Sequence, residues 1–262
     1  MSISRQNLSI IIVTYKSEMV IHDCIKSIEK DMKIIVVENS NNFQFKEELE
    51  QTYTNVTCVL TSKNLGMGAG NNIGIKKAKT DFVLILNPDV ILEASTINEL
   101  IIASKKIKNF AILAPISTDT NYPNYRVLNK EKPWEEDESL FKVKSVDGFA
   151  MLFNKKKLDK AITIDYFDEN FFMYLENDDL CKRIRKINEC IFIASNSKIK
   201  HLGGKGVNEK HKSEIELSRN WHWIWSKFYF NKKHFGYSRA FLDGLPKFTS
   251  SLIKYFFYLL IK

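Results

Sequence analysis

Two groups of carboxylates stand where they could do chemistry. The first is Asp89, which closes Asn87-Pro88-Asp89 directly after the apolar run Phe82 to Leu86. A short apolar run bounded by polar residues and Pro reads as a strand buried on both faces. Pro88 lacks an N–H and ends the ladder. Asp89 therefore falls just beyond a strand's carboxyl end, where open α/β sheets bind ligands. A carboxylate there can hold a divalent cation against a diphosphate, although the same three residue types also favour a plain turn. The second group is Glu176, Asp178 and Asp179, three carboxylates within four residues. They open a helical pattern whose apolar face is Leu180, Ile184 and Ile187. A helix dipole rewards acid at this position, but three carboxylates exceed what it requires. Crowded carboxyls raise one another's pKa toward the range of a general base. His201, beside Gly203-Gly204-Lys205-Gly206, offers a metal or phosphate contact. An isolated His is more often structural.

Three glycines, Gly66, Gly68 and Gly70, precede Asn71 and Asn72. Their spacing is neither the dinucleotide fingerprint nor the P-loop. They suit a tight turn before a helix, or a backbone that approaches a ligand closely.

The elements that must carry these residues begin with a buried-strand run at Leu8 to Val13. A helical pattern with Val20, Ile21, Cys24, Ile25 and Ile28 on one face follows, then a strand at Lys33 to Val37. This is a βαβ unit, which implies a parallel sheet with a right-handed crossover. A short strand near Val56 to Leu60, a helix running through Ala78 and the Asp81 to Asp89 strand extend the alternation over the first 90 residues. Ser95 to Lys106 predicts a helix and Phe110 to Pro115 a strand. Residues 117 to 142, with the acidic Glu135-Glu136-Asp137-Glu138, read as an irregular insertion. Val143 to Phe153 returns to a strand pattern, interrupted at Asp147-Gly148, and Cys190 to Ala194 is the last strand.

Hydrophobic residues make up 44% of the chain and aromatic residues 12%, enough for a sizeable core, and the net charge of +8 points to an anionic partner. The four cysteines form no Cys-x-x-Cys pair, so neither a zinc site nor a disulfide framework is indicated, and they fit a reducing cytoplasm. The start of the chain is too polar for a signal peptide. The apolar tail Leu252 to Ile261 is shorter than the about 20 residues a membrane span needs. Composition shifts beyond residue 210, dividing the chain into an α/β domain at 1–210 and an aromatic, basic helical extension at 211–262. Trp221, Trp223 and Trp225 stand there among His222, Lys227, Tyr229, Lys232 and Lys233. That mixture suits a membrane interface, or equally a helical hairpin packed on the main domain.

Six segments in order resemble one family. They are Val13-Thr-Tyr-Lys, Val37-Glu-Asn-Ser, Asn64-Leu-Gly, Gly70-Asn-Asn-Ile-Gly, Leu86-Asn-Pro-Asp-Val, and Phe167-Asp-Glu-Asn-Phe-Phe-Met-Tyr-Leu-Glu-Asn-Asp-Asp-Leu-Cys-Lys-Arg. Together they look like the family 2 inverting glycosyltransferases, closest to the rhamnosyltransferase-like branch that builds bacterial surface polysaccharides. The match runs over about residues 8 to 225. The resemblance implies a GT-A fold, an α/β architecture with a Rossmann-like, mostly parallel sheet flanked by helices. It also implies a nucleotide-sugar donor, Mg²⁺ or Mn²⁺, and a saccharide or lipid-linked saccharide acceptor. On it, Thr14 and Tyr15 line the base pocket, and Glu38 replaces an Asp that reads the pyrimidine. Asn64, Gly66 and Asn71 border the nucleoside. Asn87 replaces the first Asp of the metal motif, while Asp89 matches its last and His201 a His near the metal. The family's base position is here Asn177, which cannot accept a proton at neutral pH. The base then falls to Glu176, Asp178 or Asp179, in the order Glu176 before Asp178. Asp179 matches the family's downstream Asp.

The expected reaction is transfer of rhamnose from dTDP-rhamnose in the cytoplasm, with peripheral contact at the inner membrane face through residues 221–262. A UDP-linked donor and a non-catalytic donor-binding homologue are the alternatives. A nucleotidyltransferase would need more basic residues after the first strand than Lys16 supplies. A nucleic-acid binder would show a recognisable module, and none is present.

Overall fold

Every side chain from Leu8 to Thr14 is buried. This strand, β1, therefore lies inside a sheet covered on both faces. It pairs in parallel with Lys33–Glu38 (β2) and with Phe82–Leu86 (β4). β2 in turn pairs in parallel with Val56–Leu60 (β3). The intervening helices are Glu18–Lys26 (α1), Phe43–Thr52 (α2) and Met67–Lys77 (α3). The alternation expected over the first 90 residues is thus present. The computed structural model describes residues 3–107, 109–121, 123–128, 139–161, 165–203 and 212–260. The acidic cluster at 135–138 and the Gly204-Lys205-Gly206 segment lie outside these described residues.

After β4 the chain forms Val90–Leu92 (β5), Thr96–Lys106 (α4), Ile112–Ser117 (β6), Tyr125–Arg126 (β7), Leu140–Lys142 (β8) and Ser145–Val146 (β9). Ala150–Asn154 (β10), Lys155–Ala161 (α5), Glu176–Lys186 (α6) and Ile191–His201 (β11) follow. The main sheet has the order β3-β2-β1-β4-β10-β6-β11-β5, with β8 also on β11, while β7 and β9 form a separate ribbon. β10 enters antiparallel between β4 and β6, and β6 and β11 are parallel.

Strand side chains alternate between two cores, as a two-residue period requires. Ile10, Ile12, Ile34 and Val36 join Ile21, Phe45, Leu49 and Leu100 from α1, α2 and α4. Ile11, Val13, Ile35 and Val37 join Ile75 of α3 and Leu180 and Ile184 of α6. Each fully buried Leu or Ile contributes roughly 1.5–3 kcal/mol, so these two layers fix the strand ends that carry the polar residues.

Three expectations are corrected. The glycine segment is not a turn ahead of a helix, because α3 begins at Met67 and contains Gly68 and Gly70. A Cβ at Gly74 would come within 2.3 Å of the Ile11 side chain, so small residues here let α3 sit close on β1. The last strand does not end at Ala194. It shifts register between Ala194 and Lys198 and continues to His201. Finally, Tyr125–Arg126 and Leu140–Lys142 are short strands inside the stretch expected to be irregular.

The C-terminal helices Lys212–Phe235 (α7) and Tyr237–Leu260 (α8) pack on each other and are joined at Gly236, whose φ is +88°. Among the described residues no helix is long and apolar enough to cross a membrane.

Candidate active site

Asp89 and His201 meet because two strand ends meet. β5 begins one residue after Asp89 and runs antiparallel to β11, placing His201 opposite Val90. The Leu202 N–H donates to the Asp89 carbonyl at 2.9 Å, tying the two ends together. Asp89 Oδ2 and His201 Nε2 then lie 3.3 Å apart. Phe149 stacks on the imidazole at 4.1 Å between centroids and 18° between planes, which holds the ring's orientation.

This pair forms part of the wall of a cleft of about 950 Å³. Tyr15, Asn64, Asn71 and Asn87 face the same cleft, as do Glu176 and Asp178 on α6. On the residues lining this cleft, three buried acceptor atoms have no hydrogen-bond partner among the described residues: Asn71 Oδ1, Asn87 Oδ1 and Glu176 Oε2. An unsatisfied buried polar atom costs roughly 1–3 kcal/mol. Three of them on one cleft mark a surface built to meet polar groups of a ligand.

Three residues expected among the donor contacts, Thr14, Glu38 and Gly66, are not part of the cleft lining. Thr14 and Glu38 are fully buried and do not reach the cleft. The Thr14 hydroxyl donates to one Glu38 carboxylate oxygen, and the backbone N–H and hydroxyl of Ser40 donate to the other. This pair closes the ends of β1 and β2 and leaves Tyr15, the residue after β1, 42% exposed on the cleft. Gly66 is also structural. Its φ is +86°, and a Cβ there would lie 2.2 Å from the Phe172 carbonyl oxygen. The Met67 N–H donates to that oxygen at 2.9 Å. Asn64 both faces the cleft and shapes it, since its Oδ1 accepts from the Asn39 side chain and from the Gly66 N–H, each at 3.0 Å. The Asn39 Oδ1 accepts from the Leu65 N–H and the Thr61 hydroxyl, so Asn39 at the end of β2 organises the whole glycine segment.

Glu176 sits at the first position of α6, after two non-glycine residues in left-handed conformation, Tyr174 (φ 71°) and Leu175 (φ 65°). Such residues cost on the order of 1–3 kcal/mol each and persist only where their surroundings impose them. Here α3 and α7 impose them. Asn72 bonds both the N–H and the carbonyl of Phe167. His222 stacks on Phe172, Trp223 meets Tyr174 edge-on, and the Ser226 hydroxyl donates to the Met173 carbonyl at 2.7 Å. The strained turn delivers the Glu176 carboxyl into a desolvated position. Burial, with Asp178 adding repulsion, pushes its pKa up to about 7.

The neighbouring carboxylates differ. Asp178 faces the cleft but pairs with Arg126 at 2.7 Å. Asp179, expected among the candidate bases, is fully buried and is not part of the cleft lining. It anchors α7, with Arg183 at 2.7 Å, Lys233 at 2.7 Å and His234 at 2.8 Å. Burial works to raise its pKa, but His234, Arg183 and Lys233 outweigh it and hold it at about 2. Asn177 is buried, and its Nδ2 donates to the Val146 carbonyl at 2.8 Å, fixing the loop that carries Asp147. Asp147 itself faces the cleft, its pKa raised by burial against the pull of Arg126. Sequence reasoning missed Asp147, Arg126, Phe149 and Arg219 as cleft residues. The only signal was the Asp147-Gly148 break in an apolar pattern.

Asp89 and His201 are the residues placed to hold a divalent cation. Among the described residues no cluster of three or more His, Cys, Asp or Glu side chains could hold one unaided. A site with two protein ligands fits Mg²⁺ or Mn²⁺, which take their remaining ligands from water and phosphate. The imidazole favours Mn²⁺.

The architecture is that of the GT-A glycosyltransferases. The solved structure of GalNAc-T7 with UDP, GalNAc and Mn²⁺ matches with a TM-score of 0.61 at 14% identity, over 87% of this chain and 50% of that one. The chain belongs to glycosyl transferase family 2, whose model matches residues 9–162. It is 29% identical over 208 residues to the low-salt glycan biosynthesis hexosyltransferase Agl10 of Haloferax volcanii, covering 70% of this chain and 62% of that protein. It is 26% identical over 203 residues to the rhamnosyltransferase WbbL of Escherichia coli, covering 67% of this chain and 75% of that protein.

Proposed function

We propose that this chain is a metal-dependent, inverting glycosyltransferase acting in bacterial surface polysaccharide synthesis. It moves a sugar from a nucleotide donor, rhamnose from dTDP-rhamnose, to a saccharide or lipid-linked saccharide in the cytoplasm. The observation that carries this reading is the meeting, in one cleft, of the Asp89–His201 pair with the Glu176 carboxyl, whose Oε2 has no hydrogen-bond partner among the described residues. Family membership and the likeness to WbbL support it. Tyr15, Asn64 and Asn71 receive the nucleoside, with Asn87 and Asp89 toward the diphosphate. A cation held by Asp89 and His201 would offset charge on the departing diphosphate. Glu176 takes the proton of an acceptor hydroxyl. The oxygen then bonds the anomeric carbon as the bond from that carbon to the diphosphate oxygen breaks, and configuration inverts. A carboxyl with pKa about 7 suits this task, since a base works best near the operating pH.

Thermal melting with dTDP, UDP, GDP and CDP, each with and without Mn²⁺, tests the reading. A ligand of the folded state raises the melting temperature by mass action. The expected result is a Mn²⁺-dependent rise with dTDP that Asp89→Ala abolishes. A rise with UDP instead would assign the UDP-linked donor, and no rise with any nucleotide would refute the transferase.

A further inference from the structure

Among the described residues, α7 and α8 expose a run of large apolar side chains. Ala240 is fully buried, marking the edge of α8 turned toward α7. Phe241, Leu242, Leu245, Ile253 and Phe256 are each more than half exposed. With about 3.6 residues per turn, these five positions, with Thr249 among them, fall on one stripe opposite Ala240. The stripe continues onto α7 through Phe241 against Phe228 (5.4 Å) and Phe228 against Trp225 (6.3 Å), where Trp221 and Trp225 are themselves exposed. Basic residues flank it. The Arg239 side chain is 62% exposed while paired with Asp243 at 3.1 Å, Lys232 lies over the Tyr237 ring, and the whole chain carries +8.

We infer that this stripe lies in the interface of an anionic phospholipid bilayer. An exposed aromatic and aliphatic face bordered by cations, on a chain of positive charge, matches the chemistry of such a surface. A patch closed by a second copy of the chain would bring like charges together. α7 also contributes Ser218, Arg219 and Trp223 to the cleft. A bilayer under α8 therefore meets the helix that forms a wall of the cleft. This deepens the transferase reading and rests on it for one point, that the acceptor is lipid-linked and enters the cleft from the membrane side.

Sedimentation of the full chain with vesicles tests it, using phosphatidylcholine alone and phosphatidylcholine with phosphatidylglycerol. Binding is expected to the phosphatidylglycerol vesicles and to weaken with salt. The triple variant Leu242→Ser, Leu245→Ser, Phe256→Ser should lose at least about tenfold in binding with an unchanged melting temperature and nucleotide response. Should that variant melt early, Arg239→Gln, which removes one exposed charge and releases Asp243, should weaken vesicle binding with the nucleotide response unchanged. Absence of wild-type binding, or equal binding by both variants, would overturn the inference. So would a dimer in solution that the triple variant dissociates. Vesicle binding without any nucleotide-induced rise in melting temperature would uphold this surface while removing the transferase reading.

Discussion

Glu176 and Asp179 stand three residues apart in the first turn of α6, so they project from neighbouring positions of the helix, yet they meet different surroundings. Both carboxyl groups are withdrawn from water. Asp179 turns toward α7 and gathers Arg183, Lys233 and His234, so its pKa falls to about 2. Glu176 turns toward the cleft, has no cation paired with it, and rises to about 7. The same desolvation acts on both, and partners decide the outcome. The signs for stability are opposite. Asp179 stabilises the fold fully above its ordinary value of 3.8, and that contribution is lost as pH falls through about 2. Glu176 favours its neutral form in the fold, so its effect on stability worsens as pH rises from 4.5 to about 7. A group that costs stability in the pH range where a base must act is expected at a working site, while Asp179 belongs to the scaffold.

The contrast can be broken from either side. Glu176→Gln keeps the shape and removes the base. It should lower release of nucleoside diphosphate from the donor by about 10²–10⁴-fold, while nucleotide binding in the melting assay stays as in the wild type. Asp179→Ala leaves Arg183, Lys233 and His234 around an empty, buried position. It should cost about 3–5 kcal/mol, read in urea denaturation, with nucleotide binding retained under conditions where the variant is folded. Gly66→Ala sharpens the comparison with the smallest change. The new Cβ meets the Phe172 carbonyl at 2.2 Å and φ is +86°, so the variant should lose about 1–3 kcal/mol. Because the displaced segment leads to Tyr174 and Leu175, turnover should fall more than nucleotide affinity.

How far the sequence spoke depends on where partners lie along the chain. The parallel strands β1 to β4 were legible because their apolar runs are continuous and local. Asp89 was legible because Pro88 ends the strand. The register shift in β11 left no trace in hydropathy, so the strand reading stopped at Ala194 while the ladder carries His201 to Asp89. Asp179 looked like its neighbours because its partner His234 lies 55 residues further on. Thr14 and Glu38 looked like ligand contacts because nothing local shows that they satisfy each other across β1 and β2. Arg126, in a stretch without periodicity, could be recognised only once Asp178 was seen beside it.

The central claim is that Glu176 is the base, and the pH dependence of donor turnover tests it most directly. With the wild-type chain, kcat/KM should rise with a limb centred near the raised pKa of about 7, and Glu176→Gln should abolish that limb together with most of the rate. A wild-type profile flat from pH 5 to 8, or an unaltered limb in Glu176→Gln, would contradict the account and shift the role of base to Asp147 or Asp178.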